Sequence, residues 1–220
     1  MSKKIIYGRA RKFQNGKWSK WKDLKANDVK PDEGAKIGHS VCTLNMGFGR
    51  ATIKYYPRML TEKRREEVAD SCRKCRKYRQ YKMGLQCEPR VHVLFSDNVE
   101  LGYRYHTVSM KPFPLSSQPV IESLASDLAS YHELPNNSWN IGCNAVVYSD
   151  GRQSIGWHAD DTQGEDIVHT YVAEAPADTH RSVLFRTKRC RKGKGMSPKE
   201  GDEEYSFNIR SGDACKFSVC

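Results

Sequence analysis

The chain has 220 residues, of which 38% are hydrophobic and 29% charged, and its 37 Lys and Arg against 26 Asp and Glu give a net charge of +11. This length fits one folded domain with extensions. No apolar run has the length of a transmembrane helix, and the N-terminal residues lack the apolar stretch of a secretory signal, so no membrane partner is expected. We therefore expect an intracellular monomer, in the nucleus or cytoplasm, whose eight cysteines are thiols.

The positive charge favours a polyanionic partner, with nucleic acid (DNA or RNA) first among the candidates. A basic protein without such a partner is the alternative. The basic residues lie in blocks, which is typical of surfaces that contact phosphates. The three blocks are ten Lys and Arg within residues 1–30, six within 73–82, and five within 188–194.

Residues 1–50 are polar and basic and contain glycines, so we expect a poorly ordered N-terminal arm. A short hairpin around Asn15-Gly16 is expected within it, because Asn-Gly favours the turns that join two antiparallel strands. Trp18 and Trp21 are interleaved among lysines. They either stack on nucleic-acid bases or dock the arm onto the folded domain, and the sequence leaves both interpretations open.

The next segment predicts a strand at 51–56, ended by Pro57, and then a helix from a cap at Thr61 to about Tyr81. Cys72 and Cys75 share the apolar stripe of this helix. With no second cysteine pair at zinc spacing, we interpret them as structural rather than metal-binding.

The remaining elements follow from alternation, apolar periodicity and turn residues. They are strands at about 90–94 and 102–108, a helix near 119–131, strands at 139–148, 154–160, 167–173, 181–187, 204–209 and 214–219, and a hydrophilic loop at 188–203. Short antiparallel strands after two supporting helices predict an α+β, mainly β fold, a double-stranded β-helix or jelly roll, over residues 51–220.

The strand expected at 154–160 carries His158 and Asp160. Residues i and i+2 of a strand project from the same face, so the imidazole and the carboxylate can converge on one metal ion. They would supply two of the three ligands in the 2-His-1-carboxylate set of non-haem Fe(II) oxygenases. A salt-bridged His–Asp pair is the alternative.

The sequence around this pair resembles the AlkB family of Fe(II)- and 2-oxoglutarate-dependent dioxygenases. The resemblance covers about residues 52–215 and rests on Tyr148, the turn at Asp150-Gly151, the stretch 155–161 (Ile-Gly-Trp-His-Ala-Asp-Asp), and flanking segments at 88–90, 103–105 and 181–186. It implies oxidative removal of N-alkyl groups from bases of DNA, or of RNA, with release of formaldehyde, succinate and CO2, that is, DNA repair. The co-factors implied are Fe(II) and the co-substrate 2-oxoglutarate.

The resemblance also implies roles for individual residues. His158 and Asp160 would be the catalytic metal ligands, Tyr148 and Asn144 would contact 2-oxoglutarate, and Tyr103, Tyr105, Asp161 and Arg90 would bind the substrate. Tyr105 is expected to stack on a flipped base and Tyr103 to make a polar contact. A packed strand face for the two tyrosines, and a plain surface role for Asp161, are the alternatives.

Two positions depart from the family pattern. Val146 stands where the family has an asparagine, so Asn144 is the candidate replacement. In the family a second metal histidine and a carboxylate-binding arginine follow the Ser-Gly-Asp turn, which here is 211–213, yet no histidine follows His180. We expect a chain that is incomplete at its C-terminus. A catalytically inactive module that binds nucleic acid through its basic surface, and a third ligand from His169 or His180, are the alternatives.

Overall fold

The computed structural model describes residues 6–25, 42–45, 52–105, 108–134, 140–158, 167–176, 179–186 and 198–218. Its contacts divide the chain into two compact units. The terminal unit comprises Met1–Thr61 and His158–Cys220, and the central unit comprises Glu62–Trp157. Among the described residues, no helix is both long and apolar enough to span a membrane.

The fold is mainly β with two helices, as the sequence predicts at this level. The helices are α1 (Glu62–Lys74) and α2 (Pro119–Tyr131). The strands are β1 (Ile6–Gln14), β2 (Lys17–Trp18), β3 (Lys22–Lys25), β4 (Cys42–Asn45), β5 (Thr52–Tyr56), β6 (Lys82–Met83), β7 (Gln86–Cys87), β8 (Val91–Ser96), β9 (Tyr103–Tyr105), β10 (Val108–Met110), β11 (Phe113–Pro114), β12 (Gly142–Val147), β13 (Ile167–Tyr171), β14 (Arg181–Arg186), β15 (Glu203–Ile209) and β16 (Ala214–Ser218).

The terminal unit contains two antiparallel sheets. One has the order β14-β15-β1-β2, with β3 also paired to β1, and the other has the order β13-β16-β5-β4. Tyr55 from β5 and Phe207 from β15 belong to one core cluster, and their rings stack with centroids 5.5 Å apart. Because buried side chains of both sheets share this core, the two sheets pack against each other.

The N-terminal segment differs from the poorly ordered arm that composition predicts. Strand β1 lies inside a sheet, between β15 on one side and β2 and β3 on the other. Its core-facing positions are small, and a Cβ at Gly8 would lie 2.8 Å from Cδ1 of Phe207. Glycine thus lets the strand approach an aromatic core closely. From composition alone, the same glycine content predicts a poorly ordered segment.

The hairpin predicted at Asn15-Gly16 is confirmed. Phe13 pairs with Trp18 across it, and Asn15 and Gly16 have φ angles of 52° and 76°. Positive φ at both central residues defines the turn that matches the twist of antiparallel strands.

The central unit contains α1 and α2, which contact each other, and a three-stranded sheet of order β11-β8-β12, with small hairpins formed by β9–β10 and β6–β7. Its core contains Val93, Phe95 and Leu115, with Cys75 and Cys143 packed against them. Burial raises the pKa of the Cys143 thiol to about 12, so it stays protonated at neutral pH.

Two predicted boundaries in the central unit are wrong. Helix α1 ends at Lys74 rather than near residue 81, because Arg79 and His92 exchange backbone hydrogen bonds of 3.1 and 2.9 Å and the chain after the helix must be extended to reach them. The strand predicted at 102–108 is instead two strands, β9 and β10, which pair antiparallel with Tyr105 opposite Val108.

Candidate functional site

Strands β8 and β12 of the central unit build the strongest candidate site. Their antiparallel register places Val146 opposite His92 and Val147 opposite Val91. Because successive side chains alternate between faces, Arg90 and His92 lie on the same face as Asn144 and Tyr148. The other face packs into the core around Val93 and Phe95, while on this face the polar residues lie beside Leu94, which packs against Val108 and Met110.

The polar face contains a buried histidine–carboxylate pair. Glu88 and His92 are 1% and 2% exposed, and the Oε2 and Nε2 atoms lie 2.6 Å apart. The geometry at these two atoms is not that of an aligned hydrogen bond, and neither has another hydrogen-bond partner among the described residues. The contact is therefore close and electrostatic rather than a well-formed hydrogen bond.

Asn144 fixes the other side of the same imidazole. Nδ1 of His92 lies 3.3 Å from Oδ1 of Asn144. An amide oxygen only accepts, so with this amide orientation Nδ1 carries a proton and Nε2 faces the Glu88 carboxylate.

Arg90 connects this pair to Tyr148. Its guanidinium is 8% exposed, and its Nη2 lies 3.6 Å from Oε1 of Glu88. From the same group, Nη1 donates a long hydrogen bond of 3.5 Å to the Tyr148 hydroxyl. A buried cation thus lies between a carboxylate and a phenol, and the carboxylate compensates its charge.

Neighbouring backbone and rings hold this polar cluster in place. The side chain of Gln80 donates to the Glu88 carbonyl at 2.7 Å, and the Glu88 amide donates to the Tyr81 carbonyl at 2.8 Å. The Tyr81 ring meets the His92 ring edge to face, with centroids 4.7 Å apart. The structure thereby brings together three of the candidates from the sequence, Arg90, Asn144 and Tyr148. Glu88 and His92 lie between them.

The motif segment after Tyr148 forms a turn. Oδ1 of Asp150 accepts from the amides of Arg152 and Gln153, at 2.7 and 3.2 Å, and Oε1 of Gln153 accepts from the Ser149 amide at 2.5 Å. Such an Asp-headed turn is the structure that Asp-Gly favours.

The strand predicted at 154–160 is not found in its described part. Residues 153–158 have no regular secondary structure, and both Trp157 and His158 are exposed, so no burial on one face stabilises an extended strand there. Asp160 and Asp161 lie outside the described residues. His158 belongs to the terminal unit and the polar cluster to the central unit.

The two tyrosines proposed for the substrate both lie on β9. Tyr103 is 38% exposed. Tyr105 has a strand backbone, but its side chain lies outside the described residues. Because residues i and i+2 of a strand share a face, the predicted shared orientation fits the backbone.

His169 and His180 are the other histidines that the sequence offers as a third metal ligand. Within the parts of the chain that the structure describes, no three His, Cys, Asp or Glu side chains form a group that could hold a metal ion. His169 lies in β13 opposite Lys216, and its ring centroid is 6.0 Å from that of Tyr56. His180 is exposed just before β14. His158 and Asp160 remain the candidate donors.

Sequence reasoning missed Glu88 and His92 as members of the site. His92 is a packed residue that lies at the centre of the cluster. The alternation Glu88, Arg90, His92 against Val91 and Val93 is the signal that could have found it, because it puts three ionisable groups on one strand face.

Comparisons with known proteins supply no further evidence for this site. No protein-family model matches the chain, and no curated protein matches it significantly.

Proposed function

We propose that this protein is an AlkB-like dioxygenase that uses Fe(II), 2-oxoglutarate and O2 to remove N-alkyl groups from bases of DNA or RNA. One observation carries the proposal: Tyr148, Asn144 and Arg90 lie on one sheet face, directly before the turn that leads to the His158-x-Asp160 motif. The same residues are those that the family resemblance implies for co-substrate and substrate.

The donor set of the motif fits the proposed metal. An imidazole and a carboxylate are ligands that Fe(II) accepts. His158 and Asp160 would hold the metal. When bound, Fe(II) would let O2 oxidise 2-oxoglutarate to succinate and CO2 and hydroxylate the N-alkyl carbon with the other oxygen atom, so that the alkyl group could leave as an aldehyde.

Tyr148 is proposed to bind 2-oxoglutarate. A hydroxyl that accepts a hydrogen bond from Arg90 can donate its own proton to an acceptor, and we assign a 2-oxoglutarate carboxylate to that role. The positive charge of Arg90 strengthens such a hydrogen bond to an anion. Glu88 holds Arg90 in position.

The substrate side is proposed to involve Tyr103, Tyr105 and Asp161. An enzyme that acts on a base within a nucleic acid must remove it from the stack and hold it between apolar or aromatic groups. Tyr105 would stack on the base, while Tyr103 and Asp161 would make polar contacts to it. The positive charge of the chain supports binding to the phosphate backbone.

We further propose that the strands form a double-stranded β-helix. The packing of the two antiparallel sheets of the terminal unit over a shared core supports this arrangement.

The experiment is a turnover assay on a single-stranded oligonucleotide that contains one N-methylated base. With Fe(II), 2-oxoglutarate and O2 we expect formaldehyde and succinate to form in equal amounts. His158→Ala should abolish both products, because it removes a metal ligand. His132→Ala, a substitution of the same type just after α2, is the matched control and should retain turnover.

Absence of both products with wild-type protein, under conditions in which Fe(II) and 2-oxoglutarate are saturating, would contradict the proposal. Nucleic-acid binding that persists without turnover would instead support the inactive binding module.

A further inference from the structure

The sheet of the terminal unit that contains β1 has an outward face opposite to its core. The register places Arg9 of β1 and Leu184 of β14 on either side of Ser206 of β15. Ser182 and Asn208 pair in the next row, and their side chains are 3.0 Å apart. Leu184 is 40% exposed, so the described residues leave this face open.

A groove of about 450 Å³ crosses this outward face. That volume lies in the range of about 300–1,000 Å³ that is usual for ligand sites. Its lining combines an aromatic ring, a cation and several hydrogen-bonding groups, supplied by Trp21, Arg9, His180, Ser182 and Asn208. Flat aromatic and hydrogen-bonding groups together suit a heterocyclic base better than an aliphatic ligand.

Trp21 is held firmly at the edge of the groove. The guanidinium carbon of Arg11 lies 4.5 Å from the ring centroid of Trp21 and 4.8 Å from that of Trp18. Arg11 itself is fixed by an ion pair of 2.9 Å with Glu204, whose side chain is 4% exposed. The cation–π contacts orient the indole without removing it from the groove, and an oriented ring loses little entropy when a base stacks on it.

The segment that supplies Arg9 and Trp21 to the groove is strongly basic. Residues 6–25 contain seven Lys and Arg and a single acid, Asp23, which pairs with Arg9 at 3.2 Å. Four lysines of this segment are exposed: Lys12, Lys17, Lys20 and Lys22. A cluster of exposed cations beside an aromatic platform is complementary to a chain of phosphates with unpaired bases.

We propose that this outward face binds single-stranded nucleic acid, with one base stacked on Trp21 and the phosphates attracted by the net positive charge of residues 6–25. The surface is distinct from the polar cluster and from the His158 motif, and binding to it needs neither metal nor 2-oxoglutarate. This inference rests on the proposed function only for the class of ligand, which is nucleic acid in both cases.

The test is fluorescence anisotropy of a labelled single-stranded oligonucleotide of about 12 nucleotides, within the usual range of site sizes, in buffer containing EDTA. Affinity should fall steeply between about 50 and 200 mM salt. Trp21→Ala should weaken binding by about 5- to 100-fold, the loss of one base stack. Tryptophan fluorescence of the wild type should decrease on binding.

Ser182→Glu provides a second test that leaves Trp21 and its contacts in place. It adds one carboxylate to the groove and should weaken binding. Ser123→Glu adds the same charge at an exposed position of α2 and should change affinity little. If Trp21→Ala does not fold by circular dichroism, the Ser182 and Ser123 pair decides the question.

Equal effects of Ser182→Glu and Ser123→Glu would overturn the inference, and so would a wild-type protein that does not bind the oligonucleotide. Equal affinity for polyglutamate of the same charge would also overturn it, since that ligand has no base to stack. Because the assay contains no metal, these outcomes do not depend on dealkylation, and absence of turnover leaves them unaffected.

Discussion

Replacing Glu88 by glutamine should destabilise the protein strongly. The substitution keeps the side-chain volume and removes the negative charge that compensates Arg90, whose side chain is 8% exposed. Breaking a buried ion pair by removing one partner costs about 3–5 kcal/mol. Because the Nη2–Oε1 distance is 3.6 Å, longer than in a strong charge-assisted pair, we place the loss near the lower end, at about 3 kcal/mol.

The assay is equilibrium unfolding in urea followed by circular dichroism. Glu66→Gln on α1 is the matched control, since Glu66 also pairs with an arginine, Arg73, at 2.6 Å, but with side chains 58% and 42% exposed. An exposed pair is worth about 0–1 kcal/mol. Glu88→Gln/Arg90→Met should recover part of the loss, because the uncompensated charge is gone. Equal effects of Glu88→Gln and Glu66→Gln would refute the view that the cluster is a compensated buried network.

Two further predictions concern the terminal unit. Lys216 lies opposite Lys54 across β16 and β5, and burial, followed by the charge of Lys54, lowers its pKa below the ordinary 10.5. The folded state disfavours the charged form, so the free energy of unfolding should rise as pH increases toward 10.5. Lys216→Gln should increase the free energy of unfolding by about 0.5 kcal/mol near neutral pH, and in urea unfolding at several pH values it should reduce the rise with pH. An unchanged rise with pH would contradict this cause. Gly8→Ala should cost about 1–3 kcal/mol in thermal or urea unfolding, since the new Cβ would lie 2.7 Å from the Ser206 carbonyl oxygen, whereas Gly142→Ala, with nothing within 4 Å, should change stability little.

The sequence predicts much of the fold because many segments show a clear alternation of apolar and polar residues or a helical spacing of apolar residues. Helix α2 and strands β5, β8, β12, β14, β15 and β16 lie where alternation and apolar spacing predict them. The errors come from tertiary contacts that override local preference. The backbone bridge between Arg79 and His92 ends the helical region early, and the small face of β1 packs on aromatic residues that are about 200 positions distant in the chain.

The candidate site was predictable where the residues occupy one strand face. Spacing alone places Asn144 and Tyr148 together, and the register adds Arg90. Spacing did not reveal that Glu88 and His92 are buried between them, because burial depends on Tyr81 and Gln80, which reach the site from the segment after α1. The described part of the strand expected at 154–160 is irregular, because the exposed Trp157 and His158 have no buried face to pack against.

The most direct test of the proposed function is the mass of an N-methylated oligonucleotide after incubation with the protein, Fe(II), 2-oxoglutarate and O2. The proposal predicts loss of the methyl group with wild-type protein, no loss without 2-oxoglutarate, and no loss with Asp160→Ala. It also predicts that Tyr148→Phe requires more 2-oxoglutarate than Tyr131→Phe, a control on α2. An oligonucleotide that keeps its methyl group under every condition, or loses it equally well without 2-oxoglutarate, would contradict the assignment.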